Sequence, residues 1–124
     1  FDYIAGLEAR GFLLGTILAQ RLGKGFIAVR KAGKLPPPVI SQSYTLEYGK
    51  ATMEVEKGLV RPGSKVLITD DLVATGGTAW AAMKLFESSK CTVAGFSFVM
   101  KLDGLDGYDR IAGYPVSALF SMPA

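Results

Sequence analysis

The run Val66-Leu67-Ile68-Thr69-Asp70-Asp71-Leu72-Val73-Ala74-Thr75-Gly76-Gly77-Thr78 constrains the fold more than any other stretch of the 124 residues. Val66 to Thr69 is apolar and β-branched, short, and reads as a buried strand. Beyond a Thr-Gly-Gly-Thr turn, Ala79, Ala82, Met83 and Phe86 fall at helical spacing. That spacing predicts a helix from about Thr78 to Ser89. Strand, short loop and helix form the unit from which parallel sheets are assembled. An earlier unit has the same order. Tyr3 to Leu7 reads as a buried strand, and Leu14, Ile17, Leu18 and Leu22 recur at helical spacing. Gly23 then ends the helix as a C′ glycine, and Phe26 to Val29 reads as the next strand.

Lys31 to Gln42 interrupts this alternation with Gly33 and the prolines Pro36, Pro37 and Pro38. Proline fixes φ and has no N–H, so an extended loop is expected there. Ser43–Tyr48 and Ala51–Glu56 alternate around Gly49-Lys50, which predicts a two-stranded excursion. Glu54 and Glu56 lie on one face of it and read as solvent-facing. Arg61 to Ser64 is a turn, and Thr92–Met100 and Val116–Phe120 are further strands. Met53, Met83 and Met100 are expected in the core. Trp80 lies off the core side of its helix and is expected to be partly exposed or at an interface. The whole reads as one α/β domain over residues 1–124. It has a mostly parallel sheet flanked by helices and a flexible excursion over about residues 32–57. Because Phe1 leads straight into a strand without an initiator Met, the chain is expected to be a piece of something longer.

The composition excludes several classes of chemistry. There is no histidine, so triads and metal sites built on histidine are out. Cys91 is the only cysteine, which rules out an internal disulfide framework. No base stands beside it, so it reads as a structural thiol. No apolar run reaches the ~18 residues of a membrane span, and no signal pattern opens the chain. A cytoplasmic protein without membrane or nucleic-acid partners is expected. The net charge is only +3, but its distribution is uneven. Arg10, Arg21, Lys24, Arg30, Lys31 and Lys34 occupy a stretch from Ala9 to Leu46 that holds no acid. Such a stretch is either a solvated basic face or the place for a polyanionic ligand. Walker A and Rossmann fingerprints are absent: no Gly-Lys precedes Ser or Thr, and Ala28 stands where a third glycine would follow Gly23 and Gly25.

The chemistry concentrates in the Asp70–Thr78 run. Glycines at a helix start let an anion approach the free N–H groups, and Thr75 and Thr78 add hydroxyls. Asp70 and Asp71 would repel that anion. They suit vicinal hydroxyls, or a metal ion reached through water. A phosphate and a diol together make a ribose 5-phosphate. Either half alone reads equally well as an ordinary turn or helix start.

This run resembles the signature of the type I phosphoribosyltransferases, which bind phosphoribosyl pyrophosphate (PRPP). Ile4-Ala5-Gly6-Leu7-Glu8-Ala9-Arg10-Gly11-Phe12 is similar to the pyrophosphate loop of the adenine phosphoribosyltransferases. Val29 to Pro36 is similar to their basic strand end, and Ser43 to Gly49 to their flexible catalytic loop. The resemblance implies transfer of the phosphoribosyl group from PRPP to adenine, giving AMP and pyrophosphate. Two alternatives stay open: a non-catalytic PRPP-binding regulator on the same fold, and a phosphoribosyltransferase for another purine. It also implies roles. Asp70 and Asp71 hold the ribose, and Ala74, Thr75, Gly76, Gly77 and Thr78 cradle the 5-phosphate. Ala9, Arg10, Arg30, Lys31 and Lys34 face pyrophosphate, with Mg²⁺ bridging pyrophosphate and ribose and no certain direct protein ligand. Leu72 packs on the base, Glu47 exchanges a proton with it, and Tyr48 helps close the loop. Elimination favours Glu47 as well, since histidine is absent and the other candidate groups are engaged elsewhere. A cis peptide near Glu8-Ala9, a homodimer, and a hood segment ahead of Phe1 are likewise implied. The family often has Pro-Gly where this chain has its three prolines.

Overall fold

The computed structural model describes residues 1–46, 48–105 and 107–123. Strands β1 (Tyr3–Leu7) and β2 (Gly25–Lys31) flank helix α1 (Arg10–Leu22). A hairpin follows, of β3 (Val39–Leu46) and β4 (Gly49–Glu56). Then come β5 (Lys65–Val73), helix α2 (Gly77–Ser88), β6 (Thr92–Asp103) and β7 (Val116–Pro123). A single 3₁₀ turn over Asp109–Ile111 lies between the last two strands.

The strands form one seven-stranded sheet in the order β3-β4-β2-β1-β5-β6-β7. β2, β1, β5, β6 and β7 run parallel. The β3–β4 hairpin adds antiparallel at one edge, joined to β2 through Arg30 and Lys31. From β1 the chain crosses to β2, and from β5 it crosses the opposite way to β6. Right-handed crossovers in opposite directions put α1 and α2 on opposite faces. The core contains Ile4, Leu7, Ile27, Ile68, Leu85, Phe86, Phe96 and Phe98, all fully buried. The expected face of α2 is buried at Ala79, Ala82, Met83 and Phe86.

Helix α1 departs from the expected packing. Its buried residues are Gly11, Gly15 and Ala19, while Ile17 stays 56% exposed and Leu22 is also exposed. The reason is close backbone approach. A Cβ on Gly15 would lie 2.6 Å from the Phe26 ring and 3.1 Å from Thr69 Oγ1. The small side of the helix docks, while Leu13, Ile17 and Leu22 are left outside and Leu14 and Leu18 are half-buried at the flanks.

Other differences are smaller. β3 begins at Val39, inside the stretch expected to be loop, after a cis Pro37-Pro38 bond. Glu54 is half-buried rather than solvent-facing. It accepts hydrogen bonds from the Gly33 N–H at 3.0 Å and from Ser41 Oγ at 2.9 Å. Met53 and Met83 are buried and Met100 is half-buried. Trp80 is half-buried, and Cys91 is a buried free thiol whose pKa burial raises.

Candidate active site

In an open α/β sheet, ligands bind where neighbouring crossovers diverge, beyond the carboxyl ends of the strands. Here that point lies between β1 and β5, and a cavity of about 260 Å³ opens there. It is lined by Glu8 and Arg10 after β1, Lys31 from β2, Tyr44 from β3, and the run from Asp70 to Ala79.

One end of the cavity is built for an anion. Gly76 adopts φ 82°, a left-handed conformation that turns the chain into α2, and no side chain caps the helix. Its first N–H groups therefore face the cavity end without an internal acceptor. The Tyr44 hydroxyl lies 3.2 Å from Thr78 Oγ1, tying the hairpin to this loop.

The opposite wall is acidic. Asp70 Oδ1 accepts the Asp71 backbone N–H at 2.8 Å, and Asp71 Oδ2 pairs with Arg10 Nε at 2.8 Å. Burial pushes the Asp70 pKa up to about 7, helped by the Asp71 carboxylate beside it. The Asp71 N–H and the Arg10 charge pull the other way without prevailing. β5 continues through both acids to Val73, so they sit in the last part of the strand rather than in a turn.

Between these walls, Glu8 organises the cations. Its side chain is only 4% exposed and accepts from Arg30 Nε at 3.0 Å, Lys34 Nζ at 2.5 Å and the Lys31 N–H at 3.2 Å. Burial alone would raise the Glu8 pKa, but these donors outweigh it and hold the carboxyl below its usual value. The Glu8-Ala9 peptide is cis, as the resemblance implied.

The structure thus brings Arg10, Lys31, Asp70, Asp71, Leu72 and the Ala74–Thr78 loop around one cavity. Ala9, Arg30 and Lys34 stand outside its lining, the last two engaged by Glu8. Tyr48 is 89% exposed near the hairpin tip, away from the cavity. Glu47 lies outside the described residues. Glu8 and Tyr44 carry more of the site than the sequence reading gave them. A lone acid at the edge of a basic stretch was the available signal for Glu8. Among the described residues, no three His, Cys, Asp or Glu groups cluster as a metal cage. Two carboxylates offer hard oxygens, which suits Mg²⁺ when ligand and water supply the rest of its shell.

Residues 1–119 match the family model described as the phosphoribosyl transferase domain. The adenine phosphoribosyltransferase of Bifidobacterium longum is 64% identical over all of this chain. This chain spans 64% of that relative's length. The crystal structure of adenine phosphoribosyltransferase from Thermoanaerobacter pseudethanolicus superposes with a TM-score of 0.96 at 48% identity, covering 98% of this chain and 71% of that one. The Saccharomyces cerevisiae enzyme, complexed with an imino-altritol bisphosphate and adenine, gives 0.92 at 47% identity, covering 96% and 67%. A family match over nearly the whole chain, a cavity at the β1–β5 switch point and relatives of this similarity lead to one assignment: the chain belongs to the phosphoribosyltransferases, on their adenine phosphoribosyltransferase branch.

Proposed function

We propose that the protein of which this chain forms the core transfers the phosphoribosyl group of PRPP to adenine, yielding AMP and pyrophosphate. The observation that carries this reading is the pairing, in one cavity, of the uncapped α2 N-terminus with the Asp70–Asp71 carboxylates. The Ala74–Thr78 loop receives the 5-phosphate, and the two carboxylates accept hydrogen bonds from the ribose hydroxyls. Arg10 and Lys31 face pyrophosphate, with Glu8 fixing Arg30 and Lys34 behind them. Leu72 offers the base an apolar surface.

Adenine N9 attacks the anomeric carbon as the bond to pyrophosphate breaks, with no covalent enzyme intermediate. Positive charge grows on the ribose near Asp70 and Asp71, and negative charge grows on the leaving group near Arg10 and Lys31. Charges of both signs lining the one cavity stabilise the transition state. Asp70 and Asp71 would stand beside a Mg²⁺ brought with the substrate, which would supply neutralising charge for the pyrophosphate. Glu47 takes the N9 proton, and Tyr48 folds over with the hairpin to exclude water. Two copies are proposed to pair, covering apolar side chains such as Leu13 that α1 leaves exposed. The cytoplasm is the proposed compartment, where the Cys91 thiol stays reduced.

The test is AMP formation from PRPP with adenine, hypoxanthine or guanine. It is run on residues 1–124 and on a protein of the relatives' full length. AMP formation by the longer protein, with adenine preferred, is expected. The 124-residue chain should bind ribose 5-phosphate but adenine weakly. Tight adenine binding by the chain alone would show that the relatives' additional length is not needed to recognise the base. PRPP binding without turnover in the longer protein would overturn the transferase reading in favour of a regulator. Preference for hypoxanthine or guanine would overturn the choice of base.

A further inference from the structure

We propose that Arg110, seated on Trp80, is a fixed cation of the phosphate site, an inference that rests on the 5-phosphate reading of the Ala74–Thr78 loop. The connection between β6 and β7 folds back onto the outer wall of that loop. A Cβ on Gly107 would overlap the Ala74 carbonyl oxygen and lie 2.8 Å from Val73 Cγ2. A Cβ on Gly76 would overlap the carbonyl oxygen of Gly107. Two backbone segments therefore touch with no side chain between them, and the cradle cannot shift without its neighbour.

From Gly107 the chain enters the 3₁₀ turn Asp109–Ile111, anchored by the fully buried Ile111. The turn carries Arg110 to the start of α2. A Cβ on Gly77 would stand 3.1 Å from Arg110 Nη1. The guanidinium carbon lies 5.4 Å from the centroid of the Trp80 ring, within cation–π range. Trp80 follows Gly77 by three residues, so its ring stands on the same side of the first helical turn. A planar guanidinium suits this seat, because it can rest on the ring while keeping its edge N–H groups available. The positive charge thus adjoins the helix end where a phosphate dianion would sit, in a neighbouring pocket that Arg110 lines together with Thr75 of the cradle. Trp80 acts as a positioning residue, through Arg110.

The test measures ribose 5-phosphate affinity of the 124-residue chain by calorimetry at low and high salt. Arg110→Gln should weaken binding about 5-fold at low ionic strength, as expected for one partly screened charge several ångströms away. The deficit should vanish at about 0.5 M salt, where charges at that distance are screened. Arg110→Lys should recover most of the affinity, and Trp80→Leu should lose part of it, with Trp80→Phe restoring it. Lys84→Gln removes an equal charge that lies 5.8 Å from the Trp80 ring centroid but one helical turn further from the α2 N-terminus, and should bind as the unaltered chain does. Equal affinity for Arg110→Gln and the unaltered chain would overturn the inference while leaving the phosphate site standing. A deficit that persists in high salt, or an equal deficit in Lys84→Gln, would overturn it too. If the unaltered chain bound no ribose 5-phosphate, the reading of the loop would fall, and this inference with it.

Discussion

Binding of ribose 5-phosphate should depend on pH through Asp70, and one substitution should remove that dependence. Burial and the Asp71 carboxylate disfavour the charge on Asp70 and push its pKa up to about 7. Ribose hydroxyls donate, so they favour the ionised, acceptor-only carboxylate. If only that form binds well, affinity follows the ionised fraction. A pKa of about 7 leaves about 3% ionised at pH 5.5 and nearly all at pH 8.5, a change of roughly 30-fold. The ligand phosphate itself loses a proton near 6, so the profile needs a baseline. Asp70→Asn supplies one, since it keeps the shape and removes the titration. Calorimetry in buffers of different ionisation enthalpy would count the proton released on binding. Asp71→Asn should move the midpoint down, because it removes the neighbouring charge that raises Asp70. Parallel profiles for the unaltered chain and Asp70→Asn would refute the assignment of Asp70 as the titrating diol acceptor. Stability should follow the opposite sign. Between about 4 and 7 the folded chain keeps a proton on Asp70 that the unfolded chain has lost, so this group makes stability fall as pH rises across that window.

Glu8→Gln should lower stability at pH 7 by about 1 kcal/mol, a modest figure because Arg30 and Lys34 are partly in water. Since the folded Glu8 pKa is lowered, that contribution is present above about 4.5 and lost as pH falls further, so the two melting curves should converge in acid. Gly15→Ala should destabilise by about 1–3 kcal/mol in a denaturant titration, because the new methyl meets the Phe26 ring. An unchanged midpoint would show that the ring moves aside freely. Glu47→Gln, in a protein of the relatives' full length, should cut kcat by ~10²–10⁴-fold with little change in PRPP affinity. Near-normal kcat with chemistry rate-limiting would leave positioning and charge to do the catalysis.

The two β-α-β units and the hairpin were legible because apolar spacing and glycine placement report local geometry directly. The docking face of α1 was not. Leu14, Ile17, Leu18 and Leu22 mark an apolar stripe, but periodicity cannot tell which stripe meets the sheet. Gly11 and Gly15 decide it through how near two backbones can come, a property of the partner strands as much as of the helix. The acids and the glycine loop could be read as a site because strand end and helix start are contiguous in sequence. The Glu8 network spans 22 residues to Arg30 and 26 to Lys34, and only the pairing of β1 with β2 closes that gap. Glu54 was misread for the same reason, since Gly33 and Ser41 reach it across strands. Gly107 gave no signal, because a glycine in a turn-rich segment has many uses.

These contacts explain how one small cavity can hold charges of both signs without collapsing onto itself. Arg10 is 73% exposed, yet it spans to Asp71, so the cation paired with that carboxylate is more solvated than Arg30 or Lys34 and easier to redirect. Arg30 and Lys34 would otherwise be free to neutralise the acids, but the Glu8 carboxylate engages both. At the opposite end, the anion site needs no mobile charge, because helix N–H groups cannot migrate to a carboxylate. A ligand carrying two anionic ends and a diol between them can displace Arg10 from Asp71 and give each group a new partner. The Arg10–Asp71 ion pair is therefore exchangeable for ligand contacts, and its low burial keeps the exchange inexpensive in free energy.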